Sequence, residues 1–186
     1  MPYQLTHKID NPLLFQTAAP LMNDPSTPVS ELPTIGFLAE VSSEHRSFLA
    51  CFGRFLRPQN GDILIQEGER QDSLYVILAG TLHIVSAAAD RQVLLATLAE
   101  GDSIGEINLF DPATASATAI SRGNSFVWSL SREELDAFLE ADPAAGVPVL
   151  RGLLRQLSRR IRSMNEKLTT AEQRASMHNF WSTGQQ

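Results

Sequence analysis

The stretch GDSIGEINLFDPATASATA, residues 101–119, decides how this chain is read. It opens on a glycine turn, passes into a short amphipathic turn of helix beginning at Glu106, and closes in small and hydroxylated residues. Glycine lets a backbone approach a ligand closely, and the free amides at a helix start favour an anion. Parts in this order make a cradle for a phosphate and a sugar. Yet between Gly101 and Ala119 there is no lysine or arginine to meet a phosphate charge.

The surroundings of that stretch read as β. DILIQEG (62–68), SLYVILAGTLHIVS (73–86), QVLLATLAEG (92–101) and NSFVWSL (124–130) are short apolar or alternating runs rich in branched and aromatic residues. Turn residues at Gly61, Gly68, Gly80, Asp90, Gly101 and Gly123-Asn124 separate them. Short strands at such regular spacing, from Phe55 to Leu130, predict a small sandwich or barrel. Before them, FLAEVSSEHRSFLACF (37–52) suits short helical pieces with Ser42 or Ser43 as N-cap. After them, Ser131 to Glu134 has the spacing of a capping box, followed by Leu135 and Phe138-Leu139. ADPAAGVP (141–148) is then expected to break the chain.

A long helix is predicted beyond the break. Its apolar positions Leu150, Leu154, Leu157, Ile161, Met164, Leu168, Ala171 and Ala175 alternate steps of four and three, the seam of a two-helix coiled coil. The stripe serves either to pack the helix on its own body or to join a second copy, and a homodimer is the expectation, its seam carried by Leu154, Leu157, Ile161, Met164 and Leu168. Lys167 and Glu172 flank the seam where a cross-pair is feasible, although an exposed pair contributes under about 1 kcal/mol. Arg151, Arg155, Arg159, Arg160, Arg162 and Lys167 stand against Glu166 alone over residues 151–167. That stripe reads as the solvated face of a helix or as a docking surface for an anionic partner.

Length and composition bound the alternatives. The 186 residues, 43% hydrophobic, suffice for one buried domain with appendages. No apolar run is long enough to cross a bilayer, and the first residues lack a secretory pattern, so a cytoplasmic protein is expected. Cys51 is the single cysteine, which leaves no intrachain disulfide; in LACF it reads as a small core residue. The net charge of −6 gives the whole molecule no bulk attraction for nucleic acid. Residues 1–33 hold six of the ten prolines and read as an extended or disordered arm. His7, His45, His83 and His178 have no partners at metal-ligand spacing, and no catalytic constellation appears; an enzyme is not expected. Phe180-Trp181 read as part of a frayed tail or a docking element.

Together the glycine ladder Gly61, Gly68, Gly80, Gly101 and Gly105, the runs DILIQEGERQDSLYVILAGTLHI and VWSLSREELDAFL, and GEINLF resemble a known family. It is the cyclic nucleotide-binding domain of the catabolite activator protein and of protein kinase A regulatory subunits, and the likeness runs from about Phe37 to Leu168. The resemblance implies a β jelly roll (residues 34–143), a C-terminal helix (144–178) and a tail (179–186). It implies a ligand site at Gly105, Glu106 and Ile107, with Glu106 accepting from a ribose 2′-hydroxyl, and with Ser116 and the amides of Ser116 and Ala117 at a cyclic phosphate. Around LSRRIRSMNEKL it places Met164 and Asn165 at the purine across a dimer.

Two departures qualify this. The family places an arginine where Ala115 stands, and losing one partner of a buried charge pair costs about 2–5 kcal/mol, roughly thirty-fold to several-thousand-fold in affinity. Asn108 replaces a usual Gly or Ala near the sugar. Arg122 and Arg70 are the candidate substitute cations. The sequence also ends soon after the seam, without a predicted helix-turn-helix, so direct DNA binding is not expected. Three readings follow: a dimeric regulatory module with weak, altered or no cyclic mononucleotide binding that acts through protein contacts; a working cAMP or cGMP receptor with a substitute cation; and a DNA-binding regulator.

Overall fold

The computed structural model describes residues 31–88 and 91–183, with side chains as far as Glu166, apart from Ala88, and at Thr169. A 3-10 helix over Gly36–Glu40 leads into α1 (Ser43–Ala50). Ser42, not Ser43, is the N-cap of α1, its side chain accepting from the His45 amide at 3.2 Å. Among the described residues ten strands follow: β1 (Arg54–Leu56), β2 (Ile63–Ile65), β3 (Arg70–Gln71), β4 (Ser73–Ala79), β5 (Leu82–Ala88), β6 (Arg91–Leu98), β7 (Ser103–Ile104), β8 (Ala113–Thr114), β9 (Thr118–Ser121) and β10 (Phe126–Ser131), with the short α2 (Glu106–Phe110) between β7 and β8. Helices α3 (Arg132–Ala141) and α4 (Pro143–Thr183) complete the order.

The strands form two four-stranded antiparallel sheets, β1-β10-β4-β7 and β2-β9-β5-β6, and a small β3-β8 ribbon. Neighbours in a sheet are mostly distant in sequence, as a β jelly roll requires. Alternation along β4 shows how the roll divides its core. Leu74, Val76 and Leu78 enter a cluster with Phe37, Leu49, Trp128, Phe138, Val149 and Leu153, beneath the helices. Tyr75, between them, turns to the other side and packs on Ile65, Ile84, Ala115 and Ala119. The first cluster fastens the helices; the second lines the interior of the roll.

The glycine ladder is a row of left-handed turns, with φ from 82° at Gly68 to 92° at Gly61. Gly105 is the most constrained for the site. Its φ is 89°, and an added Cβ would lie 2.1 Å from the Ser73 carbonyl oxygen, so only glycine seats the start of α2 against β4.

Three boundaries differ from the sequence reading. Leu32, assigned to the arm, is fully buried in the helical cluster, and Arg46 holds the segment by donating to the Leu32 carbonyl at 2.8 Å and pairing with Glu31. ADPAAGVP breaks the chain only at Asp142, because α4 already starts at Pro143 and contains Pro148. Proline is well placed at a first helical position. At Pro148 it removes one helical donor, a loss set against the burial of Ala145, Val149 and Leu153 on the same helix. Finally, α4 continues to Thr183, through residues read as tail. The arm over residues 1–30, and the side chains of Lys167, Leu168, Ala171, Glu172, Ala175, His178, Phe180 and Trp181, lie outside the described residues.

Candidate functional site

The 101–119 stretch folds as the predicted sequence of parts. The Gly101 amide donates to the Ile77 carbonyl at 2.9 Å and turns the chain into β7; Gly105 then caps α2. This delivers Glu106 into the body of the protein, where its side chain is 3% exposed. A buried carboxylate needs a counter-charge or donors. It receives one: Arg160, from α4, pairs with Glu106 Oε1 through Nη1 and donates to the Ser103 carbonyl at 2.7 Å through Nη2. The second carboxylate oxygen, Oε2, is buried without a partner, as is Ser103 Oγ. The site thus keeps one unanswered acceptor beside a charge that is already neutralised.

The other half of the cradle is apolar. Ala115 is buried among Ile65, Ile84 and Ala119, with Ala117, Leu64, Tyr75, Leu98 and Ile104 packed against them. Its amide is spent on the Glu69 carbonyl at 2.9 Å, and its carbonyl accepts from the Gly68 amide at 2.8 Å. Among the described turns the amides of Ser116 and Ala117 donate to no backbone carbonyl, and the Ser116 side chain is exposed. Thr118 is engaged as well, accepting from the Glu67 amide at 3.1 Å. Two amide donors therefore remain at this end.

Among the described residues, neither the Arg122 nor the Arg70 side chain makes a hydrogen bond or ion pair to this loop. Arg122 lies past the end of β9, its Nε donating to His83 Nδ1 at 3.1 Å, which also gives His83 a partner rather than a ligand role. Arg70 pairs with Thr114 across the β3-β8 ribbon and is exposed. Asn108 spans the loop instead of entering it: Nδ2 donates to the Ala113 carbonyl at 2.8 Å and ties α2 to β8. Ile107 turns its side chain to solvent, so any part it takes in a ligand site falls to its backbone. Cys51 is a correction; it is exposed at the end of α1 rather than in the core, because the buried positions there are Leu49 and Ala50.

On α4 the face toward the body is Ala145, Val149, Leu153 and then Arg160. Leu154, Ile161 and Met164 are exposed at 63%, 58% and 57%, and Leu157 is half-buried. Asn165, assigned with Met164 to the purine, is exposed too. Arg160 is the site residue that sequence reasoning missed. In the sequence it belongs to the arginine stripe read as a solvated face or a docking surface, and the signal that separates it is spacing: seven residues beyond Leu153 on one helix is nearly two turns, hence the same face. Among the described residues no group of side chains is arranged to hold a metal ion, and no helix is long and apolar enough to cross a membrane.

Comparison with known proteins bears on the fold. Residues 56–142 match the family model described as the cyclic nucleotide-binding domain. A CRP-like cAMP-activated global transcriptional regulator of Mycobacterium tuberculosis is 34% identical over 128 residues, covering 66% of this chain and 54% of the relative. The chain spans about half the length of the curated regulators it matches. Among solved structures, the N-terminal domain of a transcriptional regulator from Streptomyces coelicolor A3(2) is 28% identical with a TM-score of 0.59, covering 72% of this chain and 91% of that one. A cyclic nucleotide-binding domain from Methylobacillus flagellatus is 25% identical with a TM-score of 0.65, covering 70% and 74%.

Proposed function

From the premise that residues 56–142 belong to the cyclic nucleotide-binding domain family, we propose that this chain is a non-catalytic regulatory module whose pocket binds cyclic mononucleotides weakly or in altered form. The carrying observation is the buried, apolar Ala115 at the position where the resemblance expects an arginine. The site does contain a guanidinium, that of Arg160, but it is committed to Glu106 and the Ser103 carbonyl. One carboxylate and one guanidinium cancel, so a cyclic phosphate would enter without a side-chain counter-charge. Its output, in this reading, is contact with other proteins, and it acts as a homodimer through α4, whose exposed Leu154, Ile161 and Met164 supply the seam.

A second reading, a working cAMP or cGMP receptor, has its own support. Glu106 Oε2 is a buried acceptor without a donor, an arrangement that costs about 1–3 kcal/mol until a partner arrives, and a ribose hydroxyl is such a partner. The amides near Ser116 would then hold the phosphate unaided. The Mycobacterium tuberculosis relative is by its description cAMP-activated, which is consistent with either reading of a shared pocket. Calorimetry with cAMP and cGMP separates them: micromolar affinity for either nucleotide selects the receptor and removes the weakened-site reading.

A further inference from the structure

The outer face of α4 carries Arg151, Arg155, Arg159 and Arg162, spaced four, four and three residues apart and all exposed. With Leu154 and Ser158 they line one open groove along the helix. Arg155 reaches Glu40 of the 3-10 helix; Arg151, Arg159 and Arg162 make no ion pair with any described residue. If Leu154 and Ile161 take the a positions of the seam, Arg155 and Arg162 fall at b, Arg159 at f and Arg151 at e. The stripe therefore stays outward, or at the rim, when the seam is covered.

This arrangement works against the stability of the helix. Like charges three and four residues apart repel, and no acidic residue interrupts 151–165, where an ordinary solvated face interleaves glutamates. Every charge in the groove is an arginine, whose planar fork suits carboxylates in pairs better than a lysine does. Residues 151–162 hold five arginines and no acid, so the other residues, with ten basic and 21 acidic, carry −11. A long polyanion pressed on α4 would meet that acidic remainder, whereas a short acidic segment feels the local stripe within a screening length of about 8 Å.

We infer that the outer face of α4, centred on Arg151, Arg159 and Arg162, is a docking surface for a short acidic segment of a partner protein. This rests on the reading of an output through protein contact and names the chemistry of that contact. The test is fluorescence anisotropy with a labelled deca-glutamate peptide and, in parallel, a labelled short DNA duplex, both at physiological salt. The peptide is expected to bind, less tightly as salt rises, and the triple variant Arg151→Gln/Arg159→Gln/Arg162→Gln is expected to weaken it by about tenfold or more. The variant is also expected to keep or raise the thermal midpoint, because it removes like-charge neighbours. Equal peptide binding by the variant, tighter binding of the duplex, or a lowered midpoint would each overturn the inference. The variants leave the pocket intact, so a nucleotide titration reports separately on the reading of the pocket.

Discussion

Arg160 of α4 pairs with Glu106, joining the long helix to the buried carboxylate that opens α2. Helix position and the charge at Glu106 are thereby linked: a group that claims Oε1 competes with the hold on α4, whereas Oε2 can accept a donor with the pair intact. Removing the arginine leaves a buried carboxylate without its counter-charge. Because Arg160 is about one-third exposed, the loss from Arg160→Gln is expected at about 1–3 kcal/mol, below the full cost of breaking a buried pair. Urea unfolding should show the double variant with Glu106→Gln recovering part of that loss; no recovery would mean the two side chains are not coupled.

Gly152 sets how closely α4 approaches the body. An added Cβ would lie 2.2 Å from the Phe37 carbonyl oxygen. In an exposed helix, Gly→Ala gains about 1 kcal/mol; here Gly152→Ala is expected to lose about 1–3 kcal/mol through overpacking. A thermal melt that moves up instead of down contradicts the contact.

Tyr75 ties the roll interior to alkaline stability. Burial, reinforced by the Asp72 charge, raises its pKa above the ordinary 10.0, against the lowering effects of the Ser129 hydrogen bond and Arg54. A raised folded-state value favours the protonated phenol, so this contribution is complete below pH 10 and is lost as the pH rises through the folded-state value. Tyr75→Phe should remove that alkaline loss, measured as the change in urea midpoint between neutral and alkaline pH; an unaltered slope would deny it.

The seam proposal has a direct readout. Ile161→Glu places a charge in the centre of the exposed apolar line, at a side chain that belongs to neither buried cluster. Sedimentation velocity is expected to give a dimer for the parent chain and a monomer for the variant, with unchanged circular dichroism. A parent chain that is monomeric at high concentration ends that proposal.

Backbone demands were legible in the sequence: five glycines reading as turns have positive φ, and Ser131 and Glu134 form the reciprocal capping box their spacing announced. Such features are local and depend on one residue type. The rotation of α4 about its own axis was not, because a stripe of leucines and a stripe of arginines each have a good surface to face. What fixes it is the 3-10 helix and the close approach at Gly152, both set by tertiary packing. That rotation carries Arg160 inward, and with it the only charge partner of Glu106 among the described residues. Pro148 misled for a related reason, since one missing donor near a helix start is tolerated when the neighbouring turns are buried.

The most direct test is a calorimetric titration of cAMP into the parent protein and into Ala115→Arg. A guanidinium placed at the phosphate end should raise affinity by at least about tenfold, a threshold set below the roughly thirty-fold low end for a buried charge partner, from a parent value weaker than micromolar. Micromolar binding by the parent, or an affinity indifferent to the new guanidinium, would contradict the claim that the cradle lacks only its cation.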